Sequence, residues 1–138
     1  MIKFNDYITM FQYFVNEYLK PGDRVLVLGF YHPELKTMME FIECEVFFVK
    51  ENMEPGIDLT SNYKNLPFED ESFDAVINLF GCNFKYEFLK TSGNLFINYL
   101  QVEGFYKNYN DIDKLLYNLN PTGLNSNLNS INYIVLKK

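Results

Sequence analysis

The sequence predicts an α/β fold built on a mostly parallel sheet. Three observations carry that expectation. Short apolar runs without polar alternation recur as 24-RVLVLG-29, 45-EVFFVK-50 and 73-FDAVINLF-80, which is how strands read when both of their faces are buried. Stretches with helical spacing lie between and around them. Turn residues, namely Pro21-Gly22, Glu54-Pro55-Gly56 and Pro67, separate the segments.

In chain order, residues 5–19 predict a first helix. Asn5 or Asp6 can cap it, and Tyr7, Phe11, Phe14, Val15 and Tyr18 recur on one face. A buried strand over 24–29 follows. Pro33 suits the first position of a second helix running to about Glu43, with Leu35, Met38, Met39 and Ile42 on one face. The run 45–50 is a second strand, 57-IDL-59 a short extended piece, and 74–79 a third strand after the Pro67 turn. Residues 84–90 predict a helical turn or two. A strand over 94–99, a helix over 110–120, a polar loop over 121–130 and a last strand over 131–137 complete the pattern. The first three strands are expected to run parallel, joined by right-handed crossovers. Ligands of such sheets sit beyond the carboxyl ends of the strands, where strand order reverses.

The 138 residues suit one domain spanning 1–138, with no linker-like division. Phe and Tyr number 14 and 11, so the core is expected to be aromatic. The formal net charge of -6 argues against a nucleic-acid or anionic-membrane partner, because neutralising phosphates takes clustered Lys or Arg. No basic-then-apolar leader opens the sequence, and no apolar run approaches the ~20 residues that span a bilayer. A cytoplasmic location is expected. Cys44 and Cys82 lack metal-ligand spacing and, with a lone His32, predict no metal site. Both read as buried free thiols.

Four segments, in the right order, resemble the class I S-adenosylmethionine-dependent methyltransferases. These are 20-KPGDRVLVLG-29, 66-LPFEDESFDAVINL-79, 92-SGNLFI-97 and 133-YIVLKK-138. The resemblance implies a Rossmann-like three-layer sandwich, in a reduced form of the class I methyltransferase fold, with S-adenosylmethionine as the cofactor. It puts Gly29, Phe30 and Tyr31 at the cofactor loop, and Asn78 and Leu79 at the end of the family's fourth strand. Glu51 would stand in for the ribose-binding acid, and Asp58 or Asn62 would meet the adenine amino group.

The departures from the pattern are as specific as the matches. A glycine-rich loop normally follows the first strand, so that the backbone can approach the cofactor. Here Gly29 is followed by Phe30, Tyr31, His32 and Pro33, and the motif reads as degenerate. The two rings either fill the cofactor space or cover the sheet end. Lys50, a donor, occupies the position of the ribose-binding acid. Glu51 reads first as a solvated loop carboxylate, and Asp58 and Asn62 equally as turn caps. His32 is the one candidate general base, and also a plausible helix-start residue. The acidic run 69-EDES-72 reads as a solvated turn, with Phe68 and Phe73 plugging the core on either side of it.

Three functions remain open at this level. One is a methyltransferase acting on a small molecule or a protein partner, whose chemistry needs positioning more than fixed catalytic residues. Another is a non-catalytic module that binds a partner or forms a homodimer on the same scaffold. The third draws on 26-LVLGFYHPEL-35 and 51-ENMEPG-56, which resemble a Rossmann-like family linked to heavy-metal chelation.

Overall fold

The computed structural model describes residues 3–4, 7–80, 82–98 and 131–137. Its sheet is built around β2 (Arg24–Leu28), every residue of which after Arg24 is buried. On one side β2 pairs in parallel with β3 (Glu45–Lys50), which pairs in turn with the two-residue β4 (Leu59–Thr60). On the other side it pairs in parallel with β5 (Phe73–Asn78), which pairs with β6 (Leu89–Asn98). The antiparallel β7 (Ile131–Lys137) follows β6, and β1 (Lys3–Phe4) closes that edge. The described sheet is thus seven-stranded, in the order β1-β7-β6-β5-β2-β3-β4. The expected α/β class and the parallel pairing of the first three strands are both found.

Period-two alternation divides the strand side chains between two apolar layers. Val25, Val27, Phe48, Ala75, Ile77 and Phe96 face helices α1 (Tyr7–Tyr18) and α2 (Pro33–Phe41). Helix α1 supplies Met10, Phe11, Phe14 and Val15, all buried, at the spacing that puts them on one face. Phe14 stacks on Phe96 of β6 at 4.3 Å between ring centroids. Helix α2 starts with Pro33 in its first turn and sinks Leu35 and Met39. It ends two residues before the expected Glu43, which itself lies at φ 64°.

Leu26, Leu28, Val49, Val76, Leu95 and Ile97 form the opposite layer. The described residues that cover it come from loops and from a 3-10 turn at Tyr86–Phe88, through Leu66, Phe84 and Phe88. The expected helical piece over 84–90 is therefore this single turn, and β6 starts at Leu89, five residues before the expected 94. The expected helix over 110–120 and loop over 121–130 lie outside the described residues.

The turn ahead of β5 is held by its backbone and its rings. The Glu71 N–H, at φ 56°, donates to the Glu87 carbonyl at 2.7 Å, and the Ser72 hydroxyl donates to the Glu69 carbonyl. Phe73 is fully buried, whereas Phe68 is half-buried and edges onto Phe73 at 4.8 Å. Both rings thus plug this side of the core as the sequence predicts, Phe73 wholly and Phe68 in part. Phe68 lies in the loop layer, with one side towards solvent. Asp70 pairs with Lys85 at 2.7 Å and Asp74 with Lys90 at 3.1 Å, so the acidic run sits on a solvated, ion-paired turn. Among the described residues, no helix is long and apolar enough to cross a membrane.

Candidate functional site

Strand order reverses at β2. From it the chain moves outward to β3 and β4, then returns across to β5. A crevice is expected beyond the carboxyl ends of β2 and β5. Gly29 stands at its floor, with its N–H donating to the Val49 carbonyl at 2.8 Å and φ at 87°. A side chain would be strained there, which accounts for glycine at the strand end.

The open side of Gly29 is filled by the protein itself. A Cβ on Gly29 would lie 2.8 Å from Cys82 Sγ, 3.7 Å from Tyr63 Oη and 3.9 Å from Phe80 Cβ. The Tyr63 hydroxyl and the Cys82 sulfur share this space, and both side chains pack partly buried against the loop-covered layer. Burial, then Cys82, pushes the Tyr63 hydroxyl up to about 12. Burial also pushes the Cys82 thiol up, with the hydrogen bond from Tyr63 pulling the other way. At neutral pH the pair is uncharged, which suits a structural contact and not a nucleophile.

Asn78, fully buried at the end of β5, fixes this arrangement. Its Oδ1 accepts the Cys82 N–H and its Nδ2 donates to the Cys82 carbonyl, each at 2.8 Å. That two-bond clamp folds the chain after Leu79 back over the strand end. Leu79 itself is buried in the helical layer.

The other predicted site residues are spread around the rim. Phe30 stacks on Phe11 at 5.9 Å and edges onto Phe80 at 5.5 Å. Tyr31 edges onto Phe48 at 5.0 Å and lies against Gly56, where any Cβ would collide with its ring. Both rings pack on the helical layer, so they cover the sheet end. His32 edges onto Phe11 at 5.2 Å, and its Nδ1 is buried without a hydrogen-bond partner. The Asp58 carboxylate accepts the Phe48 N–H at 2.8 Å, while the Asp58 N–H donates to the Phe48 carbonyl at 2.8 Å. Asn62 Oδ1 accepts the Lys64 N–H at 2.9 Å in a local turn. The Glu51 side chain is exposed, and Lys50 pairs with Glu54. Sequence reasoning brings the stretch from Asp58 to Tyr63 to this end of the sheet without giving Tyr63 a role, and gives Cys82 only as a buried free thiol.

Among the described residues, no group of three His, Cys, Asp or Glu side chains could hold a metal ion. A cavity of about 440 Å³ lies at the other end of the sheet, beside Asp23, Asp74 and Lys90.

No family model and no curated protein matches this chain. Solved structures do. The [4+2]-cyclase SpnF superposes with a TM-score of 0.53 at 14% identity, over 65% of this chain and 43% of that one. Geranyl diphosphate C-methyltransferase from Streptomyces coelicolor A3(2), solved with Mg2+, geranyl diphosphate and S-adenosyl-L-homocysteine, gives 0.52 at 13% identity, over 64% and 44%. The fold is that of the class I methyltransferases. This chain covers less than half the length of either of those two proteins. Against the class I methyltransferase pattern, Gly29 keeps the end of the first strand.

Proposed function

We propose that this chain is a class I methyltransferase-fold module that does not use S-adenosylmethionine and works through protein contacts. The observation that carries this reading is the filled side of Gly29, where a Cβ would already lie 2.8 Å from Cys82 Sγ. The residues at this rim do not fit the cofactor. Its methionine limb needs that same space, Lys50 offers the ribose no acceptor, and the Asp58 carboxylate already holds the Phe48 N–H. Exposed Met53 and Phe80 supply apolar contact surface beyond the strand ends. The free thiols of Cys44 and Cys82 suit a reducing, cytoplasmic setting.

Calorimetric titration with S-adenosylmethionine and S-adenosylhomocysteine tests this reading. Loss of two charge-assisted hydrogen bonds, each worth roughly 1.5–3 kcal/mol, moves a micromolar ligand to about millimolar or weaker. No saturation at submillimolar ligand is the expected result. Micromolar binding of either compound overturns the proposal and restores the enzyme reading.

A further inference from the structure

The cavity of about 440 Å³ at the far end of the sheet is opened by an irregularity in β6. The β5–β6 register jumps from Phe73–Leu89 to Ala75–Asn94, so the chain of β6 bulges over 90–93. Ser92, within the bulge, lies at φ 68°. The bulge forms one wall of the cavity, and the end of α1 with the turn ahead of β2 forms the others. A bulge re-aims side chains that a regular ladder would hold in line.

Asp23 lines this cavity and is only 7% exposed. Its Oδ2 accepts the Lys20 N–H at 3.1 Å, whereas Oδ1 has no hydrogen-bond partner among the described residues. Nor does any Lys or Arg among them form an ion pair with this carboxylate. Asp74, on the same cavity, differs in having both oxygens engaged. Its Oδ2 accepts the Arg24 N–H at 2.8 Å, and its Oδ1 pairs with Lys90 at 3.1 Å. Lys90 is thus held by Asp74, and Lys20 is exposed. A buried carboxylate without a counter-charge is costly, and burial raises the Asp23 carboxyl above its usual range. A cationic donor at Oδ1 would supply both the missing charge and the missing hydrogen bond.

The donor set narrows the choice of cation. Divalent metals take several oxygen ligands, and no group of three His, Cys, Asp or Glu among the described residues could hold one. An organic ammonium needs a single carboxylate oxygen and an apolar wall for its body. Tyr18 and Leu19 line the cavity and supply that wall, and exposed Glu17 adds a further negative charge. We propose that this cavity is a binding site for a small primary ammonium compound, its nitrogen donating to Asp23 Oδ1 and its hydrocarbon body lying against Tyr18 and Leu19. The site is at the opposite end of the sheet from Gly29, so it stands or falls apart from the cofactor reading.

Amide chemical shifts of the full chain, titrated with n-butylammonium chloride, test the site. The Lys20 amide, which donates to Asp23, is expected to move saturably together with those of Gly93 and Asn94. Half-saturation is expected at about millimolar to tens of millimolar, the range for a probe of so few atoms. Sodium chloride at equal ionic strength and n-butanol are expected to leave these amides in place. Asp23→Asn is expected to weaken binding by about tenfold or more, through loss of one charge-assisted hydrogen bond. Glu17→Lys, at an exposed helix position, sets a cation beside the site and is expected to weaken binding severalfold. It decides the matter if Asp23→Asn fails to fold. Absence of saturation, equal shifts with sodium ions or butanol, or unchanged affinity in either variant overturns the proposal.

Discussion

The Tyr63 hydroxyl and the Cys82 sulfur crowd the same side of Gly29, 3.7 and 2.8 Å from where a Cβ would lie. Tyr63 thereby brings the loop after β4 against the loop after β5, across the point where strand order reverses. Tyr63→Phe keeps the ring and removes the hydroxyl. The stability loss in urea unfolding is expected to be about 1–2 kcal/mol.

The same variant separates structural from reactive roles for Cys82. Alkylation needs the thiolate, and burial already pushes this thiol above its ordinary range. The hydrogen bond from Tyr63 partly offsets that push, so removing it raises the thiol further. Alkylation of Cys82 at mildly alkaline pH is expected to be slower in Tyr63→Phe than in the parent chain. Faster labelling would mean that Tyr63 acts mainly by blocking access.

Gly29→Ala meets two separate obstacles, a φ of 87° and the Cys82 sulfur 2.8 Å from the new Cβ. The backbone strain is worth roughly 1–2 kcal/mol, and the collision adds to it. Cys82→Ala removes only the collision. A double-mutant cycle in denaturant is expected to show favourable coupling of about 1 kcal/mol between the two sites. Simple additivity would mean that the sulfur does not press on Gly29.

Phe73 and Phe68 touch at 4.8 Å but differ in burial. Phe73→Ala is expected to cost about 3–5 kcal/mol, the range for a fully buried aromatic ring. Phe68→Ala, from a half-buried site, is expected to cost about half as much. Equal losses would place Phe68 in the core.

Asp23 is buried, and its carboxyl is raised above the usual range, first by desolvation and then by Asp74, against the opposing pull of Lys20. A raised folded-state value means that the protonated form favours folding. That contribution is present below the unfolded-state value and is lost as pH rises through the folded one. Asp23→Asn removes this titration and keeps an acceptor for the Lys20 N–H, which Asp23 Oδ2 binds at 3.1 Å. Relative to the parent chain, the variant is expected to gain stability as pH rises from below the ordinary carboxylate value to neutral, by urea unfolding at the two ends of that range.

The parts of the fold that were legible in the sequence are those whose environment is uniform along the chain. β2 and β5 are buried along nearly their whole length, and β3 at Phe48 and Val49, so their apolar runs mark all three within a residue or so. β6 was placed too late because its first half, 89-LKTSG-93, carries polar residues. The register jumps from Phe73–Leu89 to Ala75–Asn94 there, with Ser92 at φ 68°. β1 has two residues, too few for any period. At the site, Gly29 was legible because a glycine ending a buried strand has a backbone reason to be there. Tyr63 and Cys82 were not, because loops without periodicity bring them together and neither residue type announces the contact. Asp58 and Asn62 show the opposite case. Each does what short polar side chains do locally, binding nearby backbone N–H groups.

The clamp from Asn78 gives this end of the sheet its own reporter. Cys82 lies in a loop, yet its amide hydrogen is held by the Oδ1 of a fully buried asparagine. An amide on a loop ordinarily exchanges with solvent deuterium almost at once. This one exchanges when the clamp opens. Its protection factor therefore measures the free energy of that local opening, separately from global unfolding. A single resolved amide signal would show how often the crevice at the head of the sheet is open, and so how often any visitor could enter it.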